Sequence, residues 1–361
     1  MKIRQNHTTK PAMNLYCANR ADVAPNNGQV PVPALEADDS PPVRREPARN
    51  ANIEIARLAA AGGIVWFHFG STGRYYAWVS LPLFVLLAIA LPSYKETTLS
   101  AVARNRASRL LVPWLLWIIL YGVFFSAIAL KNGKPPFGWV RIEMLFYGTA
   151  LHLWFLPALF VFNIVAWFLH KSIYSFSVAT RYSILIGISI AAFGGCILLN
   201  RAVVPTPFDM WIPLLPFIGL GMLLRELCFS VRDRKFIFVT GVLAVFAGMA
   251  LNASGLFPGS FTIGLLAFGA ATLVFSAPSW STSCLDLAAP ISFLVYLCHE
   301  LVFQFVYFFL HQHSCSKDAI GLCTLFSSFL VATIVHLLFQ RFLNWKNAKA
   351  PATQINGVEV T

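Results

Sequence analysis

The chain has 361 residues, of which 57% are hydrophobic and only 12% charged, with a formal net charge of +12. That charged share is about half that of a typical soluble domain, so an ordinary soluble globule is excluded and the chain belongs in lipid. The positive excess does not signal nucleic acid, because no stretch interleaves basic and stacking residues as a nucleic-acid groove does.

Residues 1–52 are rich in Pro, Asn, Ala and charge and contain no apolar core of the length a secretory signal needs. Such a composition cannot offset the entropy of ordering, and a disordered cytoplasmic tail is expected here. From residue 53 onward, apolar runs long enough for a bilayer about 30 Å thick recur about ten times. They fall near 53–70, 75–92, 111–130, 150–169, 182–200, 208–227, 236–253, 260–276, 288–310 and 319–340. The expected fold is all-α: a polytopic transmembrane bundle over 53–345, followed by a second disordered tail over 346–361. Positive side chains collect in alternate connections: Lys95, Arg104, Arg106 and Arg109; then His170, Lys171 and Arg181; then Arg225, Arg232, Arg234 and Lys235; then Arg341, Lys346 and Lys349. By the positive-inside rule both termini are cytoplasmic; the connection at 131–141, with Lys131, Lys134 and Arg141, runs against the pattern.

The first run, "NIEIARLAAAGGIVWFHFG", is apolar enough to enter a bilayer yet holds Glu54, Arg57 and His68. Eleven steps of 100° return a helix to within about 20° of its starting direction, so Arg57 and His68 share one face roughly 16 Å apart. A charge at membrane depth is costly unless it meets protein, water or a partner. This face is therefore expected to point into the bundle, with Glu54 one turn from Arg57 and placed to pair with it. An interfacial ion pair that snorkels would explain Glu54 and Arg57 equally well. It explains His68 less well, since ten uncharged residues separate it from Arg57 and an imidazole can take a proton from a hydroxyl near neutral pH.

Between the second and third spans, "KETTLSAVARNRASRLLVPW" places Leu99, Val102, Ala103, Leu110 and Leu111 on one side. An amphipathic surface helix ending on the approach to Pro113 is expected. Arg106 and Arg109 are three apart and could close on one anion, although basic residues at a cytoplasmic membrane end also set topology and bind anionic lipid. The fourth span opens with "LHLWFLPALFVF", where His152 and Trp154 stand at an expected interface position. In the ninth, "ISFLVYLCHELVF" sets His299 and Glu300 near mid-membrane. Neighbours on a helix diverge by about 100°, so His299 is expected at a reaction chamber and Glu300 against another helix. His311, His313 and Cys315 have metal-like spacing without an evident fourth ligand, so no metal site is expected. The seven cysteines form no CxxC pair or disulfide framework. Phosphate loops, hydrolase-spaced carboxylate pairs and nucleophile elbows are absent from the sequence.

In order and spacing these segments resemble the integral-membrane acyltransferase-3 family, whose bacterial members O-acetylate polysaccharides, lipopolysaccharide, peptidoglycan and lipo-oligosaccharides. The resemblance is carried by the acidic residue, the base and the His ten residues on (Glu54, Arg57, His68), and by Arg106 and Arg109 before "LLVPWLLW". It is completed by "HLWFLPAL" and "ISFLVYLCH". The "FFxxSGF" stretch of many relatives is replaced here by "LFVLLAIALPSYKE". The resemblance implies acetyl transfer from acetyl-CoA, a substrate rather than a bound cofactor, to a hydroxyl of a cell-surface or lipid-linked saccharide at a bacterial inner membrane. It implies His68 and Arg57 as catalytic residues, Arg106 and Arg109 at the donor, and Glu54, His299, Glu300, His152 and Trp154 in support. Glycan-biosynthesis proteins would be its partners. The rival class is a transporter or flippase whose path is lined by Arg57, His68, His299 and Glu300. Such proteins are often built from repeats broken at matching positions, and neither a repeat nor a second interruption matching Gly62 and Gly63 is present.

Overall fold

In a computed structural model the described residues are 50–349, except Ser71, Ser93, 95–97, Trp139, 200–203, Arg232, 256–258, Ser279, 281–284 and Asp286. The tail expected over 1–52 therefore lies outside the description up to residue 49, as do Lys95, Arg232 and the chain after residue 349. The elements are helices: α1 (Ala51–Phe69), α2 (Arg74–Ala77), α3 (Ser80–Ala90), α4 (Leu99–Lys131), α5 (Met144–Tyr147), α6 (Phe155–Ile173) and α7 (Val178–Leu199), then α8 (Phe208–Trp211), α9 (Pro216–Ser230), α10 (Arg234–Ser254), α11 (Gly259–Ser276), α12 (Ala288–His311) and α13 (Lys317–Lys349). Short 3₁₀ turns at Leu151–Trp154 and Ile212–Leu214 lead into α6 and α9.

Eight of these segments, all after residue 98, are long and apolar enough to cross a membrane. The chain is a multi-pass membrane protein. The other two expected spans differ from that standard for separate reasons. α1 has 19 residues but carries Asn52, Glu54, Arg57 and His68. The second, Arg74–Ala90, is shorter than the rest and interrupted between α2 and α3; at 1.5 Å per residue it reaches only about 25 Å. α3 is apolar on every side, and Val85, Leu86, Leu87 and Ile89 are all buried. A helix apolar all round belongs inside a protein, and α3 packs against α1, α6, α9 and α11. The reverse holds at the periphery. Leu116, Ile119 and Val123 of α4, Ile190 and Leu198 of α7, and Leu243 and Phe246 of α10 point outward, a cost in water but none in lipid tails.

The basic segment does not form a separate surface helix. α4 runs unbroken for 33 residues from its cap at Thr98, through Arg106 and Arg109 and past Pro113, to Lys131. One proline removes one backbone bond, and membrane helices tolerate that where the surroundings satisfy the freed carbonyl, so Pro113 does not end the helix. The basic residues expected in connections sit largely on helix ends: Lys171 on α6, Arg181 on α7 and Arg225 on α9.

Close crossings are made by small residues. A Cβ on Gly63 of α1 would collide with the Ser80 side chain of α3, whereas one on Gly62 would meet Leu325 at an ordinary 3.4 Å. Gly63→Ala is expected to cost about 1–3 kcal/mol of overpacking and Gly62→Ala close to nothing. Thermal melting of the two detergent-solubilised variants checks this ordering.

Candidate active site

α1 is fixed at both ends. Asn50 caps it, accepting from the Asn52 amide at 3.0 Å, and Asn52 is held in turn by the Trp280 indole and the Pro278 carbonyl before α12. At its other end Phe69 stacks on Phe303 of α12 with ring centroids 3.9 Å apart. Between these anchors the polar residues of α1 are turned inward. Glu54 is 4% exposed, and its Oε1 accepts a 2.8 Å bond from Arg57 Nη1. Arg57 lines a cavity of about 240 Å³ whose other walls are apolar or aromatic apart from Ser292: Phe84 and Leu87 of α3, Leu110 of α4, Leu156 of α6, and Tyr296 of α12. It is the one charge on that wall among the described residues. A snorkelling interfacial pair would not bury its carboxylate, so the inward-facing reading of Glu54 and Arg57 describes the structure.

Tyr296 is also the boundary between this cavity and a cluster of three imidazoles. His299 lies at its centre, fully buried, with its ring centroid 5.4 Å from that of His68 and 4.7 Å from that of His152. His68 is exposed on its other side, so it forms the mouth of the cluster. His152, 6% exposed, is delivered by the 3₁₀ turn before α6, and its Nε2 lies 3.4 Å from the Leu297 carbonyl. The cluster is pinned by two tyrosines that the sequence pattern did not single out. The Tyr296 hydroxyl donates to the His152 carbonyl. The Tyr121 hydroxyl, from the middle of α4, donates to the Leu297 carbonyl at 2.9 Å and accepts from the Leu301 amide at 3.3 Å. It therefore clamps the turn of α12 that carries His299. Tyr296 stands within the quoted "ISFLVYLCH", but Tyr121 sits in "LLWIILYGVFF", where nothing marks it off from lipid-facing aromatics. Tyr121→Phe leaves a buried carbonyl without this donor, a loss of about 1–3 kcal/mol. It is expected to lower both the melting temperature and the turnover, read by melting and by rate on the same membranes.

The remaining sequence candidates are not brought into this cluster. Glu300 lies half-buried on the next face of α12, accepting from Gln304 at 2.9 Å. Trp154 is half-buried with its ring edge-on to Phe155. His311 stacks on Tyr307 at 4.6 Å, and among the described residues no three His, Cys, Asp or Glu side chains converge as a metal site.

Arg106 and Arg109 share the first turns of α4 but not one environment: Arg106 is half-buried and Arg109 exposed. Arg106 approaches Tyr94, in the connection between α3 and α4. Burial raises the Tyr94 phenol above its ordinary value, with Arg225 and then Arg106 opposing that shift. The phenol stays a neutral donor, bonded to the Ile89 carbonyl at 2.8 Å. Arg225 is a residue whose role the sequence did not disclose. It donates to the carbonyls of Ala90 and Pro92 at 3.0 and 2.6 Å, lies over the rings of Tyr94 and Phe229, and so satisfies the bare carbonyl end of α3.

The bundle thus holds a largely apolar cavity with one arginine on its wall on one side of Tyr296 and three imidazoles on the other. The acyltransferase-3 family model, described as an acyltransferase domain, matches residues 50–341. The chain belongs to this family, and it is an acyltransferase. No curated protein and no solved structure matches it.

Proposed function

We propose that this acyltransferase moves an acetyl group from acetyl-CoA to a hydroxyl of a cell-surface or lipid-linked saccharide, with His68 as general base. The observation that carries the reading is the inward edge of α1: Arg57 opens into the cavity, and His68 lies against buried His299 at the far end of the same face. The donor is a polyanion carrying an apolar arm. Arg106 and Arg109 supply guanidinium forks for its phosphates, and the largely apolar cavity past Leu110 and Leu156 suits the arm, with Arg57 as the charge that orients it. The acceptor approaches His68 from its exposed side. Its hydroxyl gives a proton to the imidazole, and the oxygen attacks the thioester carbon. The tetrahedral intermediate collapses with loss of the sulfur, which takes the proton back as a thiol. In this reading both termini and the Arg106 end face the cytoplasm of a bacterial inner membrane, where the donor is made; the alternation of positive charge supports it. Membership in an acyltransferase family removes the motive for the transporter reading.

The reading is tested by expressing the chain in a glycan-producing bacterial host and measuring base-labile acetate on its glycans against an empty-vector control. In a membrane assay, Arg106→Ala and Arg109→Ala are both expected to raise the acetyl-CoA concentration needed for half-maximal rate, the half-buried Arg106 more. If the two variants change only insertion or abundance, these arginines set topology and do not bind the donor.

A further inference from the structure

His299 has a definite proton arrangement. Its Nδ1 lies 2.7 Å from the Tyr296 carbonyl and 3.3 Å from that of Val295. Carbonyl oxygens only accept, so Nδ1 carries the ring proton and Nε2 presents a bare lone pair. Among the described residues that Nε2 is buried with no hydrogen-bond partner, an arrangement native interiors avoid unless the atom has work to do. The donors around it are committed elsewhere. The Tyr296 hydroxyl goes to the His152 carbonyl, the Tyr121 hydroxyl to the Leu297 carbonyl, and His152 directs its Nε2 hydrogen to Leu297 as well. A neutral imidazole has one N–H, so His152 has none left to offer. His68 remains, with its ring 5.4 Å away centre to centre and the two planes 30° apart, a separation that accommodates an N–H···N bond once the rings meet edge to edge.

We propose that His299 is the positioning residue for His68: its Nε2 accepts the N–H of the His68 ring, fixing the tautomer that leaves the other His68 nitrogen bare toward the acceptor hydroxyl. This inference rests on His68 being the base. A neutral imidazole here does the orienting work that a carboxylate does in a hydrolase triad, without placing a second charge in the bundle. Through the reaction His299 gains and loses no proton. The acceptor O–H bond breaks toward His68, the O–C bond forms, the C–S bond breaks, and His68 returns the proton to sulfur. His299 meanwhile holds the opposite N–H of the transient imidazolium.

Two near-isosteric variants separate this role from a merely structural one. In His299→Asn the amide nitrogen stands where Nδ1 stood and keeps the bond to the Tyr296 carbonyl, but nothing reaches the Nε2 position. In His299→Gln the side chain places its polar end at the Nε2 position and offers an acceptor there. Asn is expected to lower kcat about 10- to 100-fold, at or below the lower end of the ~10²–10⁴ a general base contributes because the base itself is retained, with KM for acetyl-CoA unchanged; Gln is expected to keep most of the rate. The reverse order, Asn active and Gln inactive, would show that only the backbone bond matters and overturn the inference. Loss of activity in both variants with wild-type melting would also overturn it, by putting His299 on the substrate itself. Nitrogen NMR of histidine-labelled full-length wild type gives a second reading that needs no variant to fold at position 299. Signals absent from His68→Ala belong to His68, and they are expected as a single tautomer with a hydrogen-bonded N–H. A mixture of His68 tautomers would refute the proposal. If His68→Ala stays active, the base assignment fails; if it is inactive while both position-299 variants match wild type, only the positioning role fails.

Discussion

His68→Ala is expected to lower acyl transfer by about 10²–10⁴-fold, the usual contribution of a positioned general base, while the protein reaches the membrane at wild-type level and melts close to wild type. The reason for the second half is geometric. His68 is exposed on one side, and among the described residues its ring packs on Phe67, Phe69 and His299, so its loss removes little packing. The expectation is checked by rate and melting on the same preparation. A parallel loss of fold and rate would make His68 a structural residue. Its contrast is His299, which is fully buried and whose truncation to Ala would damage both.

Arg57→Ala is expected to act on both stability and rate. Glu54 is 4% exposed, and among the described residues Arg57 is its one salt-bridge partner and its Oε2 has no hydrogen-bond partner. Removing the arginine strands a buried carboxylate, a loss of about 3–5 kcal/mol. A marked fall in melting temperature should therefore accompany inactivity. The double replacement Glu54→Gln with Arg57→Met removes both charges and is expected to recover most of the melting temperature without recovering transfer. That outcome separates the structural part of Arg57 from its part in the cavity it lines. Recovery of transfer in the double variant would show that the cavity charge is dispensable.

Much of this site was legible in the sequence, because a helix has one period. The 20° offset between Arg57 and His68, the pairing of Glu54 with Arg57 and the divergence of His299 from Glu300 all follow from 100° per residue; the structure pairs Glu54 with Arg57 at 2.8 Å and buries His299, whereas His68 is exposed and Glu300 bonds Gln304 of its own helix. Periodicity does not say which elements meet. The convergence of His152 on His299 depends on a 3₁₀ turn before α6, and the clamp made by Tyr121 depends on how α4 crosses α12; neither leaves a mark in its own segment. Apolar character was also ambiguous for α3. Its composition suits a membrane span and a buried core helix alike, and the sequence does not show that the segment breaks between α2 and α3. Pro113 misled for a related reason. In water a proline marks a probable helix end, but in a long apolar helix the lipid environment offers the backbone no alternative partner, and the helix runs through.

The most direct test is stoichiometric. Purified full-length protein in vesicles made from lipids of a glycan-producing host is supplied with acetyl-CoA, and free CoA thiol and ester-linked acetate on the glycan are measured together. One thiol should appear for every ester formed in wild type, and neither in His68→Ala. Ester formation at the wild-type rate by His68→Ala, or movement of glycan across the vesicle with no thiol released, would contradict the account.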